Sequence, residues 1–203
     1  MIPDVGSQPI ESYTETEPEI AGAGFWIRLL ARVIDLILHY GIAFTTGLFV
    51  GVIAVIVAAV MGIPYDTVPE RFQTQTCLDY IMALLGSAAY HTLCEGVHGS
   101  TLGKLICGLV VIKEDKKPCG LLAALERSLA LYVDGLLLGL PAILSMRESP
   151  RRQRLGDRWA KTMVVKARDL ESTMEPRSGL RFIAAFVCGV TVDAAFVTIG
   201  LIF

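Results

Sequence analysis

Four long apolar runs alternate with short polar segments along this chain, at about 22–62, 77–97, 121–146 and 180–203. The first run exceeds the ~20 residues that cross a bilayer. Two crossings would need about 40 residues plus a turn, and neither a proline nor a polar turn interrupts it. The pattern therefore predicts one helix, with the turns from Phe25 to Asp35 at the interface and the span proper at about Leu36 to Val60. Within FWIRLLARVIDLILH the polar residues are Arg28, Arg32, Asp35 and His39. Their spacing of 4, 3 and 4 places all four on one helical face at ~100° per residue. An ionisable stripe on a membrane-length helix is costly unless it faces protein, water or an opposite charge. The other segments are thus expected to supply a polar interior, although Arg28 and Arg32 could also snorkel to the headgroups as anchors.

The second run begins with Asp79, carries a small-residue face at Gly86, Ser87, Ala88 and Ala89, and ends with His91 and Glu95 at hydrogen-bonding i,i+4 spacing. Gly41, Gly47 and Gly51 in the first run are candidate close-contact points between helices. Two short β-like runs, LVVIK at Leu109 to Lys113 and TMVVK at Thr162 to Lys166, need partners to be stable. Each is the other's obvious partner, with Val110 to Ile112 opposite Met163 to Val165. Open strand edges are not tolerated in lipid, so both lie outside the bilayer on one side. That constrains the third run, which holds Glu126, Arg127 and Asp134 and has basic flanks on both sides. The positive-inside rule places both flanks in the cytoplasm, which favours a re-entrant or interfacial helix pair broken near Gly139 to Pro141. A single ordinary span is the alternative. The last run has Asp193 near its middle, unpaired within its own helix, and therefore facing a polar group elsewhere or protonated.

The picture is an all-α membrane protein: a helical bundle of three to four transmembrane segments, a re-entrant or interfacial pair and a two-stranded cytoplasmic β clasp. Residues 1–21 read as a disordered acidic tail, 22–170 as the membrane domain and 176–203 as an additional C-terminal transmembrane helix. The tail is acidic at the start and does not resemble a signal peptide; with the basic flanks of the third run inside, the N-terminus is expected in the cytoplasm and the protein as multi-pass in the cell membrane.

Composition agrees: 203 residues are 53% hydrophobic with mean hydropathy +0.56, which favours a membrane protein over a soluble domain. The net charge of −2 hides segregation. The basic stretch 147–168 beside apolar runs points to topology and anionic lipid, not nucleic acid. Cys77, Cys94, Cys107, Cys119 and Cys188 have no metal spacing and read as free, buried thiols. His39 and His91 do not form a haem motif. Gly99 to Lys104, GSTLGK, lacks the spacing of a phosphate loop and follows a membrane run, so it reads as a tight turn with Lys104 at the headgroups. No nucleophile or metalloprotease motif appears, so neither an enzyme nor a cofactor is expected.

Three stretches in this order, GFWIRLLARVIDLIL, CEGVHGSTLGKLICGLVVIKED and RRQRLGDRWAKTMVV, resemble the RDD family of small membrane proteins. The resemblance covers about Ala23 to Lys166 and is carried by the combination. The family is named for one arginine and two aspartates. By position these fall on Arg28 or Arg32, on Asp35 and on Asp157, and the family's turn motif falls on Thr101, Gly103, Lys104 and Gly108. The resemblance implies transport, including cation/proton exchange, as the suggested role. From the residues, two functions stand: a transporter of ions or small solutes, or a subunit of one, for which Asp35, Asp79, Glu95, Asp134 and Asp193 would line a wet path; or a non-catalytic scaffold or accessory subunit, in which the charges are paired locks. Asp157 is expected to reach Arg28 or Arg32, and Arg32 can touch Asp35 at i,i+3. A homo-oligomer or a membrane partner subunit is compatible with both.

Overall fold

The computed structural model describes residues 20–63, 77–135, 139–170 and 178–202. The acidic tail, most of the first connecting loop and residues 171–177 lie outside them. The first apolar run forms one uninterrupted helix, α1 (Phe25–Met61), closed by Gly62 in the left-handed conformation (φ 67°). At 1.5 Å per residue it is about 55 Å long, well beyond the ~30 Å hydrocarbon core. It is followed by α2 (Cys77–Val97), a single-turn α3 (Leu102–Ile106), strand β1 (Leu109–Lys113), α4 (Leu121–Gly135), α5 (Leu140–Glu148), a second single-turn helix α6 (Leu155–Trp159), strand β2 (Thr162–Lys166), a 3₁₀ turn (Ala167–Asp169) and α7 (Gly179–Ile202).

Helices α1 and α7 are long and apolar enough to cross a membrane. The most apolar window of α1 is only 11% buried, which is opposite to the core helix of a soluble protein. Ile37, Phe44, Phe49 and Val60 are each more than two-thirds exposed. Its buried residues are Arg28, Ala31, Asp35 and Ala58. The helix thus turns its charged stripe inward and its apolar surface outward, the arrangement lipid demands.

The second run packs on α7 through small residues. A Cβ on Gly86 would meet Asp193, with Cα at 3.2 Å; one on Gly189 would meet Tyr90 at 3.1 Å; one on Gly200 would meet Asp79 Cα at 3.2 Å. Backbones at that distance require glycine, as expected for the small-residue face at 86–89. Gly41, Gly47 and Gly51 do not serve this purpose. Gly41 and Gly51 have nothing within 4 Å of a built Cβ, and Gly47 has only Leu201 at 3.9 Å, because α1 meets its neighbours through its charged stripe instead. The thiols also differ from expectation: all five are free, but Cys77 and Cys188 are exposed, on outer faces of α2 and α7.

The third run is divided into α4 and α5. Gly139 adopts φ 82° and Pro141 stands in the first turn of α5, where a proline needs no hydrogen-bond partner for its nitrogen. Strands β1 and β2 pair antiparallel, with Val110 opposite Val165, Val111 opposite Val164 and Ile112 opposite Met163. Both faces are buried. Leu109, Val111 and Val164 pack with Ala23, Ala31 and Ala124 on one side, and Val110, Ile112, Met163 and Val165 pack with Leu170 on the other. Ala23 N–H donates to Val164 O at 2.8 Å, attaching the approach to α1 to the clasp.

A proline at Val111 cannot donate the N–H that reaches Gly99 O at 2.7 Å, and its ring would sit in a strand buried on both faces. Val111→Pro is expected to reduce the yield of monodisperse protein in detergent several-fold. Unchanged yield and melting temperature would count against the clasp as a fold requirement.

Candidate functional site

The polar stripe of α1 is met residue by residue by polar groups from five other elements. Arg28 Nη1 donates to Asp157 Oδ2 of α6 at 2.7 Å, and its Nη2 donates to Val164 O at 3.2 Å. Arg32 donates to His91 Nε2 of α2. Asp35 accepts from α3 and its preceding residue: Thr101 Oγ1 at 2.6 Å and Gly103 N–H at 2.8 Å. His39 Nδ1 lies 2.8 Å from Asp193 Oδ2 of α7.

Asp157 is the most heavily contacted group. It is fully buried, and besides Arg28 it receives Arg127 of α4, the backbone N–H of Arg154 at 3.1 Å, and the Arg154 guanidinium at 3.7 Å. Gly156 permits this approach, because a Cβ there would lie 2.7 Å from Ala130 Cβ on α4. Burial alone would push the Asp157 carboxyl up, but Arg127, Arg154 and Arg28, with the Arg154 N–H, outweigh it and hold it well below the usual carboxylate range.

Glu95 forms a second centre. Arg127 Nε donates to its Oε2 at 3.0 Å, and Lys104 Nζ donates to Oε1. Arg127 therefore bridges the two buried carboxylates, while its Nη1 also reaches Thr162 Oγ1 at 2.8 Å. His91 completes the group. A guanidinium only donates, so the Arg32 contact makes His91 Nε2 an acceptor and leaves the proton on Nδ1, 3.7 Å from Glu95 Oε1. Burial lowers the Lys104 ammonium below the ordinary lysine range, and Glu95 offsets this only in part.

The stretch Thr101–Gly103–Lys104–Gly108 acquires a physical explanation here. Thr101 caps α3 and gives its hydroxyl to Asp35. Gly103 presents its N–H to the same carboxylate, and a Cβ there would collide with the Ala31 carbonyl of α1. Lys104 points to Glu95, and Gly108 takes φ 63° to turn the chain into β1. Tyr90 joins the group by donating to Asp35 Oδ1 at 3.3 Å while accepting from Leu102 N–H at 3.1 Å.

The expected pairing of Asp157 with the first helix is found, with Arg28 as its partner. Arg32 takes His91 in place of the neighbouring Asp35. Lys104 is not at the headgroups: it is 9% exposed and held by Glu95, because the turn packs onto α1. His91 and Glu95 do come together. Asp193 meets His39, opposite Gly86. Asp134 stands apart, 4.0 Å from Arg154 Nε, and Asp79 stands where α7 crosses α2 at Gly200. Arg127, Arg154 and Tyr90 are residues that sequence reasoning did not assign to the site. The available signal for Arg127 was an arginine within an apolar run, which requires a buried partner.

A bundle with apolar helices turned outward and a buried ion cluster turned inward defines a helical membrane protein. The RDD family model matches residues 22–161, and the chain belongs to the RDD family. No curated protein and no solved structure matches it. Helix α7 lies beyond the matched residues, yet it supplies Asp193.

Removing Asp157 leaves Arg28 and Arg127 facing each other without their shared anion, which costs about 3–5 kcal/mol for a buried pair. Asp157→Asn and Arg28→Gln are each expected to destabilise strongly, and the double variant by less than their sum, with a coupling of about 0.5–3 kcal/mol. Strict additivity of unfolding in detergent would show that the contact is energetically idle. Because the folded carboxyl titrates below its unfolded value, its contribution is fully present above pH ~4 and is lost as pH falls through the lower folded value. An acid titration of stability is therefore expected to show a smaller loss below pH ~4 in Asp157→Asn than in wild type.

Proposed function

We propose that the protein moves small ions across the membrane, using the face of α1 from Arg28 to His39 as its polar route. The observation that carries this reading is the continuity of the seam. Its four stripe residues cover about 16 Å along the helix, roughly half of the hydrocarbon core, and each is matched by a polar partner. Buried ionisable residues in such positions are the usual equipment of proton and cation paths. The deepest pair, His39 with Asp193, retains an unpartnered Asp193 Oδ1, as an exchangeable site requires. In this reading α1, α2 and α7 span, α4 and α5 form a re-entrant pair, and the N-terminus and clasp are cytoplasmic.

A groove of about 460 Å³ lined by Phe25, Trp26, Met146, Arg147 and Arg152 supports anionic lipid contact beside the basic stretch. A second reading, a membrane scaffold or accessory subunit, is favoured by the full hydrogen bonding of Asp35 and Asp157, since a structural lock leaves nothing free.

Proteoliposome flux of Na⁺, K⁺ and H⁺ separates the two. Wild type is expected to carry at least one of them, with a loss of tenfold or more in Asp193→Asn and Asp35→Asn variants that remain folded. Absence of flux for all three ions would favour the scaffold. Topology is tested independently by placing cysteines at Asp66, Lys117 and Arg158 in a background lacking Cys77 and Cys188. Only the first is expected to react from outside, and external labelling at Lys117 or Arg158 would replace the re-entrant pair by a third crossing.

A further inference from the structure

At the centre of the cluster lies a cavity of about 30 Å³, bordered by Arg28, Arg32, Lys104, Arg127 and Arg154 together with Asp35, Glu95 and His91. Space of this size admits one or two water-sized particles. Three donors of its walls are buried and without a hydrogen bond: Arg28 Nε, Arg127 Nη2 and Arg154 Nε, the last 4.0 Å from Asp134 Oδ2. The side chains of Arg28 and Arg127, which have no carboxylate beside these atoms, are 7% and 1% exposed. Buried arginine donors normally find acceptors, and leaving one unmade is expensive.

The charges also fail to balance. Five cations, Arg28, Arg32, Lys104, Arg127 and Arg154, face four carboxylates, Asp35, Glu95, Asp134 and Asp157. Arg28, Arg127 and Lys104 share Glu95 and Asp157, and Arg154 has Asp134 nearby. Arg32 is given a neutral imidazole, and Asp35 is satisfied by Thr101, Gly103 and Tyr90. One positive charge is left over in a low-dielectric interior, where an unpaired charge is costly. Water can accept from the arginines but cannot cancel that charge. We infer that the cavity between α1, α2 and α4 is a binding site for one small monovalent inorganic anion of the halide class, held by Arg28 Nε and Arg127 Nη2 and neutralising the one positive charge in excess among the side chains around it. The assignment does not depend on transport, because it follows from charge, donors and volume alone.

The test measures unfolding of the purified full-length protein in detergent at constant ionic strength, with gluconate replaced stepwise by chloride or bromide. Gluconate is too large for the cavity. Wild type is expected to gain several degrees in melting temperature along a saturating curve, with unfolding slowed severalfold at 100 mM chloride. Arg32→Gln keeps a donor for His91 while removing the surplus charge, and is expected to lose the halide dependence. Arg32→Lys is expected to retain it. Crystals grown in bromide should show an anomalous peak within hydrogen-bonding reach of Arg28 Nε and Arg127 Nη2. Identical wild-type curves in chloride and gluconate would overturn the inference, as would full halide dependence in Arg32→Gln. If Arg32→Gln does not fold, the bromide peak decides: density between the two arginines upholds the site and its absence removes it.

Discussion

Asp157 is fully buried among three arginines, and the placement of most other elements follows from that contact. Arg28 brings α1 to it, Arg127 brings α4, and the Arg154 N–H fixes α6 around it. A buried ion pair is seldom worth more than well-packed hydrophobic side chains of the same volume. Its consequence is specificity: a misplaced α1 or α4 would leave a naked charge, so alternative packings are penalised heavily. In lipid this matters more than in water, because apolar helices have no hydrophobic reason to prefer one neighbour over another.

The same constraint explains why α1 is built inside out relative to a soluble helix. Its apolar residues can face lipid at no cost, while its stripe cannot. Each of Arg28, Arg32, Asp35 and His39 therefore recruits a different element, and together they organise α6, α2, α3 and α7 around one face. Glycine permits the approaches that result. Gly103 lets α3 touch the α1 backbone, Gly156 lets α6 touch α4, and Gly86 leaves space for Asp193.

Arg127 links the two carboxylate centres, so charge at Asp157 and charge at Glu95 are felt by a common group. His91 then links Glu95 to Arg32. A change of charge anywhere in the cluster is consequently distributed over α1, α2 and α4. That coupling suits a path for ions and a lock equally well.

The order of apolar and polar residues determined the membrane class, the single long first helix, the common face of its four polar residues, the break at Gly139 to Pro141 and the pairing of two valine-rich strands. These are local or nearest-partner properties: a 3.6-residue period, a proline without an N–H, a strand that needs one mate. Composition could not reveal that Lys104 turns inward, because its burial depends on α3 docking against α1. The choice of Arg28 over Arg32 for Asp157 depends on a contact across 129 positions of sequence. Arg127 looked like one polar residue in an apolar run, and only the packing of α4 against α2 and α6 gave it two carboxylates. The uncancelled charge is likewise a tertiary property, since segments far apart in the chain contribute its members, and a net charge of −2 for the whole chain gives no sign of a positive interior. Periodicity decided which faces are polar; the cost of burying a charge alone decided, in three dimensions, which charges meet.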